Sequence, residues 1–225
     1  IRGEATKSFQ YFEKEGVELK IISGDNPVTV SAVAKRAGIK SADKYVDART
    51  LPEDSEELAE IIENNTIFGR VTPHQKKAIV KSLQSRGHIV AMTGDGVNDA
   101  PALKQADIGI GMANGSDATK AVAQLVLLNS DFSALPKVVV EGRKLINNLE
   151  RVSELFLSKT VYSMILSLVF GLILLPFPFM PIQLSLIGSI AIGIPSFFLA
   201  LAPNKERVSR GFLKRVLQVS IPNGI

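Results

Sequence analysis

Cysteine is absent from the chain, which excludes a disulfide framework and thiolate metal sites and suits a cytosolic environment. Charge is absent from residues 160–204, where 45 consecutive positions hold no Asp, Glu, Lys or Arg. A buried core helix does not fit a charge-free run of that length. Two membrane-spanning helices of roughly 20 residues each do fit it, joined at Pro176-Phe177-Pro178-Phe179-Met180-Pro181 by a Pro-rich turn. A signal-peptide pattern is lacking too. The chain opens on Ile1 rather than Met, with a helix already under way, and reads as a fragment. It contains no internal repeat and no low-complexity segment.

The net charge is +4, but the basic residues do not form a patch interleaved with aromatics, so no nucleic-acid partner is expected. Membrane topology accounts for them better. Arg143, Lys144 and Arg151 precede the apolar stretch, and Lys205, Arg207, Arg210, Lys214 and Arg215 follow it, while the central turn carries no charge. By the positive-inside rule the expectation is a multi-pass protein of the cell membrane with residues 1–154 and 205–225 cytosolic. Composition shifts near Leu155. The expected division is a soluble part over residues 1–135, a helical stalk over 136–154, a membrane hairpin over 155–204, and a basic segment over 205–225 leading to the next membrane helix.

Helices alternating with short apolar runs over residues 1–129 predict a parallel α/β sheet. Strands are expected at 17–22, 88–92, 108–112 and 125–128. A helix should start at Asn26 and Pro27 and close at Gly38, and another should run from Thr72-Pro73 to Gly87. The acidic stretch 40–66 reads as a surface excursion carrying one helix over 53–63. From Ser133 the helical pattern runs on through Leu149 and Phe156 into the apolar segment, as one long helix. Two Gly-Asp pairs, Gly24-Asp25 and Gly94-Asp95, fall at carboxyl ends of strands, the edge at which open α/β sheets bind ligands.

Phosphoryl chemistry needs a divalent cation, a fixed positive charge and hydrogen-bond donors around the transferred oxygens. Asp95 and Asp99, four residues apart across a Gly-bearing turn, suit Mg²⁺, which takes one or two carboxylates. Gly94 and Gly96 permit close backbone approach. Lys76 can neutralise phosphate, and Ser23 can donate to it. Read singly, Ser23-Gly24-Asp25 is also an ordinary turn and Lys76 an ordinary surface lysine; the second Asp and the Asn in the 93–101 run exceed what a turn requires.

Met92-Thr93-Gly94-Asp95-Gly96-Val97-Asn98-Asp99-Ala100-Pro101-Ala102-Leu103 resembles the hinge signature of P-type cation-transporting ATPases. Ser23-Gly24-Asp25-Asn26 resembles that family's Thr-Gly-Asp-Asn loop, with a hydroxyl retained at the first position, and Phe68-Gly69-Arg70-Val71-Thr72-Pro73 through Lys76 resembles the segment bearing its catalytic lysine. Order and spacing agree, and the similarity extends to about Asn204. The resemblance implies the second half of a haloacid-dehalogenase-like cytosolic phosphorylation domain, a partial Rossmannoid parallel sheet of the α/β class. The fifth and sixth transmembrane helices of the family would follow it as an α-helical hairpin. It implies a cycle in which Mg-ATP phosphorylates an aspartate whose hydrolysis drives a cation across the bilayer. Carried over by motif, Asp95 ligates Mg²⁺ with support from Asp99; Lys76 and Asn98 contact the transferred phosphoryl group; Ser23 and Gly24 hold the aspartyl phosphate; Asp25 and Arg70 lie near the nucleotide. The family's Asp-Lys-Thr-Gly-Thr loop is missing, so the nucleotide-binding and actuator domains and the other helices are expected partners, and the chain alone is expected not to turn over ATP. Rival readings are a haloacid-dehalogenase-type phosphatase and a non-catalytic membrane-anchored module.

In the hairpin the positions matching the family's ion ligands are Thr160 and Ser163 on the first helix and Gly188, Ala191 and Ile192 on the second. None is a carboxylate, so the usual calcium cage is not supplied by this segment. Gly188, Gly193 and Pro195 predict either an unwound ion-binding stretch or a simple proline kink. Lys159 is the one charge between Leu155 and Asn204. It reads either as part of the ion site or as a side chain that snorkels to the interface.

Overall fold

The computed structural model describes residues 3–52, 55–129, 131–202, 204–209 and 211–225. The expected helix start at Glu53 and the basic residue Arg210 lie outside them. The chain divides into two units, Ile1–Pro136 and Lys137–Ile225.

The first unit runs α1 (Gly3–Lys14), β1 (Ile21–Ile22), α2 (Pro27–Arg36), β2 (Tyr45–Asp47), α3 (Ser55–Asn64), β3 (Ile67–Gly69), α4 (Pro73–Ser85), β4 (Ala91–Gly94), α5 (Ala100–Gln105), β5 (Ile108–Met112), α6 (Asp117–Val122) and β6 (Leu125–Leu127). The strands form two three-stranded parallel sheets, ordered β1-β3-β2 and β4-β5-β6. Among the described residues, β1 and β4 are therefore edges that pair on one side only. Ala34, Ala37 and Ile67 centre one core cluster and Ile110, Leu127 and Leu135 another; α1 serves both, with Phe9 in the first and Phe12 in the second. Phe132 lies 5.5 Å from Phe9 and 5.8 Å from Phe12, ring centre to ring centre.

Several elements differ from the sequence expectation for identifiable reasons. β1 begins only at Ile21, because α1 closes on left-handed Gly16 (φ +75°) and Val17 is still bonded back to Phe12 O, leaving 17–20 outside the ladder. The 40–66 stretch is not a surface excursion. It supplies β2 and α3, burying Ala48, Ala59 and Ile62, and it leads into β3, the middle strand of its sheet. The strand expected at 88–92 lies at 91–94, aligned by Thr93↔Ile110 and Gly94↔Gly111.

The second unit begins on α7 (Leu135–Leu172), a single 38-residue helix of roughly 57 Å at 1.5 Å per residue. A turn leads to α8 (Pro181–Gly188), a wide helical turn over Ser189–Gly193, α9 (Ile194–Leu201) and α10 (Phe212–Gly224). Two stretches, Phe132–Leu172 and Pro181–Leu201, are long and apolar enough to cross a membrane. Met164, Leu168, Leu172, Ile182, Phe197 and Phe198 are exposed, a surface that hydrocarbon matches and water does not.

The stretch before Pro195 is widened rather than unwound. Ile194 N–H reaches Ser189 O, five residues back, and this π-type turn spreads the helix where Pro195 supplies no donor. α10 is seated on α7 along much of its length: Ser220 Oγ donates to Glu154 O at 3.1 Å, Arg215 forks onto Glu150 at 2.6 and 2.8 Å, and a β-carbon on Gly224 would fall 2.5 Å from Val161 Cβ.

Candidate functional site

β1 ends in Ser23-Gly24-Asp25. Ser23 Oγ accepts the Asp25 N–H at 3.1 Å, and Asn26 Oδ1 caps α2 by accepting the Val28 N–H at 3.0 Å. The end of β3 is pressed against this turn, since a β-carbon on Gly69 would stand 2.4 Å from Pro27 N. The next two amides close the contact: Arg70 N–H donates to Asp25 O at 2.8 Å and Val71 N–H to Ser23 O at 3.0 Å. Arg70 adopts left-handed φ +55° to do so, a conformation costing roughly 1–2 kcal/mol outside glycine. Its guanidinium donates to Asp47 Oδ2 at 2.7 Å, and Arg49 forks onto the same carboxylate at 2.7 and 3.1 Å. The Arg49 hydrogen bonds, with Arg70 adding to them, hold the Asp47 carboxyl well below the usual carboxylate range.

One residue further on, Thr72 starts α4 with a reciprocal cap: its Oγ1 accepts the Gln75 N–H at 3.3 Å and Gln75 Oε1 accepts the Thr72 N–H at 3.0 Å. Gln75 Nε2 also donates to Ala48 O at 2.6 Å. With the first turn pinned on both sides, Lys76 points at the second sheet. Its Nζ donates to Asp99 Oδ1 at 2.6 Å, with only 17% and 11% of the two side chains exposed. Asp99 Oδ2 accepts the Gly96 N–H at 3.1 Å, so both oxygens are engaged. A β-carbon on Gly94 would come within 2.6 Å of Asp99 Cβ, so the strand end admits only glycine there. Asp95 and Asn98 are exposed beside this buried pair.

The structure thus gathers the expected residues into two groups, Ser23, Gly24, Asp25 and Arg70 in one and Lys76, Asp95, Asn98 and Asp99 in the other. The seven residues 70–76 join them. Ser23 and Asp95 make no direct hydrogen bond among the described residues.

Residues 1–107 match the haloacid dehalogenase-like hydrolase family. Over its whole length the chain is 52% identical to the calcium-transporting ATPase CtpE of Mycolicibacterium smegmatis, covering 30% of that protein. It is 43% identical to the probable cation-transporting ATPase exp7 of Streptococcus pneumoniae, again over the whole chain and 30% of the relative. The chain belongs to the P-type ATPase family. It spans about 30% of the length of these relatives. The catalytic domain of the CPx-ATPase CopB-B overlaps 59% of this chain and 43% of its own, with 28% identity and a TM-score of 0.46.

In the hairpin of this P-type ATPase segment, Lys159 turns toward α8: a β-carbon on Gly188 would stand 2.7 Å from its Nζ. Thr160 Oγ1 is spent on its own helix, donating to Phe156 O at 3.0 Å. Thr160, Ser163 and Ser167 share one face and line, with Lys159, an open cavity of about 740 Å³. Ser167 was missed in the sequence, although the 160, 163, 167 spacing marks a single helix face. Asp47 was missed as well, and nothing local to it signals its role. So were Asn147 and Asn148, whose Nδ2 groups donate to Glu206 O at 3.0 Å and Ala200 O at 2.9 Å and strap the end of α9 and the following loop to α7.

Proposed function

We propose that this chain is the phosphate-handling half of the phosphorylation domain, with two of the membrane helices, of an ATP-driven cation pump that cycles through an aspartyl phosphate. The observation that carries the reading is the Lys76–Asp99 pair. It brings the carboxyl ends of two parallel sheets together while β1 and β4 each keep an unpaired edge. One further strand between those edges would make a single sheet, and its own carboxyl end would fall between Ser23 and Asp95. That is where the phosphorylated aspartate, carried outside this chain, belongs in the reading.

The residues present fit magnesium. The exposed Asp95 carboxylate offers one hard oxygen site, and Mg²⁺ completes an octahedron with few carboxylates and several waters. Asp99, with both oxygens engaged, anchors Lys76 and the loop instead of competing for the ion. When bound, magnesium neutralises charge on the phosphoryl oxygens. Lys76 supplies a fixed positive charge beside it, Asn98 an amide donor and Ser23 a hydroxyl, and Gly24, with open space where a β-carbon would stand, lets phosphate approach the backbone. Asp25 and Arg70, linked through backbone and flanked by Asp47, border the nucleotide.

The nucleotide-binding and actuator domains, the other membrane helices and the lipid bilayer complete the machine, with residues 1–154 and 205–225 cytosolic. The relatives' names point to a cation, and at 52% identity to calcium. Because the hairpin brings no carboxylate, charged ligands for a dication would come from helices outside it. A soluble phosphatase does not need the hairpin, and a vestigial module does not need an intact Lys76–Asp99 pair.

The test is labelling of the full-length protein with γ-labelled ATP. An acid-stable, hydroxylamine-sensitive label is expected in the wild type and not in Asp95→Asn or Lys76→Met, and the 225-residue chain alone is expected to stay unlabelled. Labelling of the isolated chain, or undiminished labelling of Asp95→Asn, would overturn the reading.

A further inference from the structure

The loop between β5 and α6 is built against the backbone of Asp95. A β-carbon on Gly115 would stand 2.8 Å from Asp95 O and 3.1 Å from Asp95 Cα, so only glycine lets the two segments touch. Ser116 N–H donates to Asp95 O at 2.8 Å. Thr119, whose side chain is wholly buried, donates its hydroxyl to Gly96 O at 2.7 Å. Threonine inside a helix ordinarily turns its hydroxyl to a carbonyl of its own preceding turn; this one reaches a residue 23 positions earlier instead.

The proton order follows from the inventory of donors. A hydroxyl has one hydrogen, and that of Thr119 is committed to Gly96 O. In the 2.7 Å contact between the Ser116 and Thr119 hydroxyls, Ser116 must therefore be the donor. Ser116 Oγ in turn accepts the Thr119 N–H at 3.1 Å, which closes a directed relay from Ser116 through Thr119 to Gly96. Together with the Gly96 N–H to Asp99 bond, these contacts engage the carbonyls of Asp95 and Gly96 with donors from the loop and helix that follow β5. The Asp95 carboxylate is left as that residue's free oxygen group.

We infer that Ser116 and Thr119 are positioning residues for the magnesium carboxylate: they occupy the Asp95 and Gly96 carbonyls and fix that stretch of backbone so that the Asp95 side chain is the group offered to the ion. The inference rests on the reading of Asp95 as a magnesium ligand. Outer partners that orient a ligand typically change metal affinity by about 10–100-fold when removed. Thr119→Val keeps the shape and deletes the hydroxyl, whereas Thr119→Ser keeps it.

The experiment is hydrogen exchange in the full-length protein, following the peptide that spans residues 92–100 as Mg²⁺ alone is titrated, with thermal stability measured in parallel. Wild type is expected to gain protection with Mg²⁺ and Asp95→Asn to lose that response. Thr119→Val is expected to need about tenfold more Mg²⁺ for half protection, and Thr119→Ser to return to near the wild-type midpoint. Should Thr119→Val not fold, Ser116→Ala, which removes the relay's first hydroxyl, is expected to raise the midpoint by a smaller factor. If Asp95→Asn loses the response while Thr119→Val, or Ser116→Ala in its place, keeps the wild-type midpoint, the positioning role is wrong and the magnesium reading stands. Failure of Thr119→Ser to recover would likewise reduce Thr119 to a packing residue. If Asp95→Asn responds like wild type, the magnesium reading fails and takes this inference with it.

Discussion

Lys76 Nζ and Asp99 Oδ1 stand 2.6 Å apart with both side chains largely withdrawn from water, and this contact ties α4, the helix that follows β3 of the first sheet, to the loop that follows β4 of the second. A pair so placed gains little by forming, since desolvating two charges offsets most of their attraction, but removing one partner leaves the other buried and uncompensated.

Lys76→Met should therefore destabilise the protein by about 3 kcal/mol, the lower part of the range for a broken buried pair. Lys76→Met combined with Asp99→Asn should cost less than Lys76→Met alone, although both variants are expected to lose the phosphoryl labelling of the full-length protein. Thermal or urea unfolding followed by circular dichroism reads the difference. A single substitution costing less than about 0.5 kcal/mol would mean that the pair behaves as a solvated surface contact.

Asp47 gives a pH signature. Its folded-state pKa is depressed by Arg49 and then Arg70, so its contribution to stability is present above the unfolded carboxyl pKa, about 3.9, and is lost as pH falls toward the folded value. The stability difference between wild type and Asp47→Asn should be level from about pH 7 to 5 and shrink below about pH 4. A difference that already shrinks between pH 7 and 5 would contradict the Arg49 and Arg70 contacts.

Lys159 and Gly188 make a pair without a bond: the ammonium occupies space that any other residue at 188 would claim. Gly188→Ala should push the flexible end of Lys159 aside while the helices stay packed, and should shift apparent ion affinity of the full-length pump in the same direction as Lys159→Met. Gly188→Ala with wild-type ion dependence would return Lys159 to an interfacial anchor.

Much of the fold was legible because its signals are local. Asn26-Pro27 and Thr72-Pro73 mark helix starts, the run 108–112 marks a strand, and the absence of charge over 160–204 marks a membrane hairpin. β2 and β3 were not legible. Each has three residues, too few for a period to emerge, and β3 is buried on both faces, so no polar alternation marks it. Glu56, Glu57, Glu60 and Glu63 belong to α3, and their charge disguised a sheet-forming segment as a surface one.

The sequence by itself determined which groups this protein carries: two Gly-Asp turns, a lysine and a charge-free hairpin stand along the chain, and it was the resemblance of those motifs to a known family, beyond their spacing, that gave them an expected chemistry. Only the tertiary structure decided how those groups are used. That Lys76 engages Asp99, that Arg70 leans on Asp47 and that Thr119 holds Gly96 are contacts between residues 23 positions apart, and Lys159 faces Gly188 across roughly 30; only the second Asp99 bond, from the Gly96 N–H, is local. Such contacts depend on strand register and helix packing, which burial of the whole core sets and no local pattern encodes.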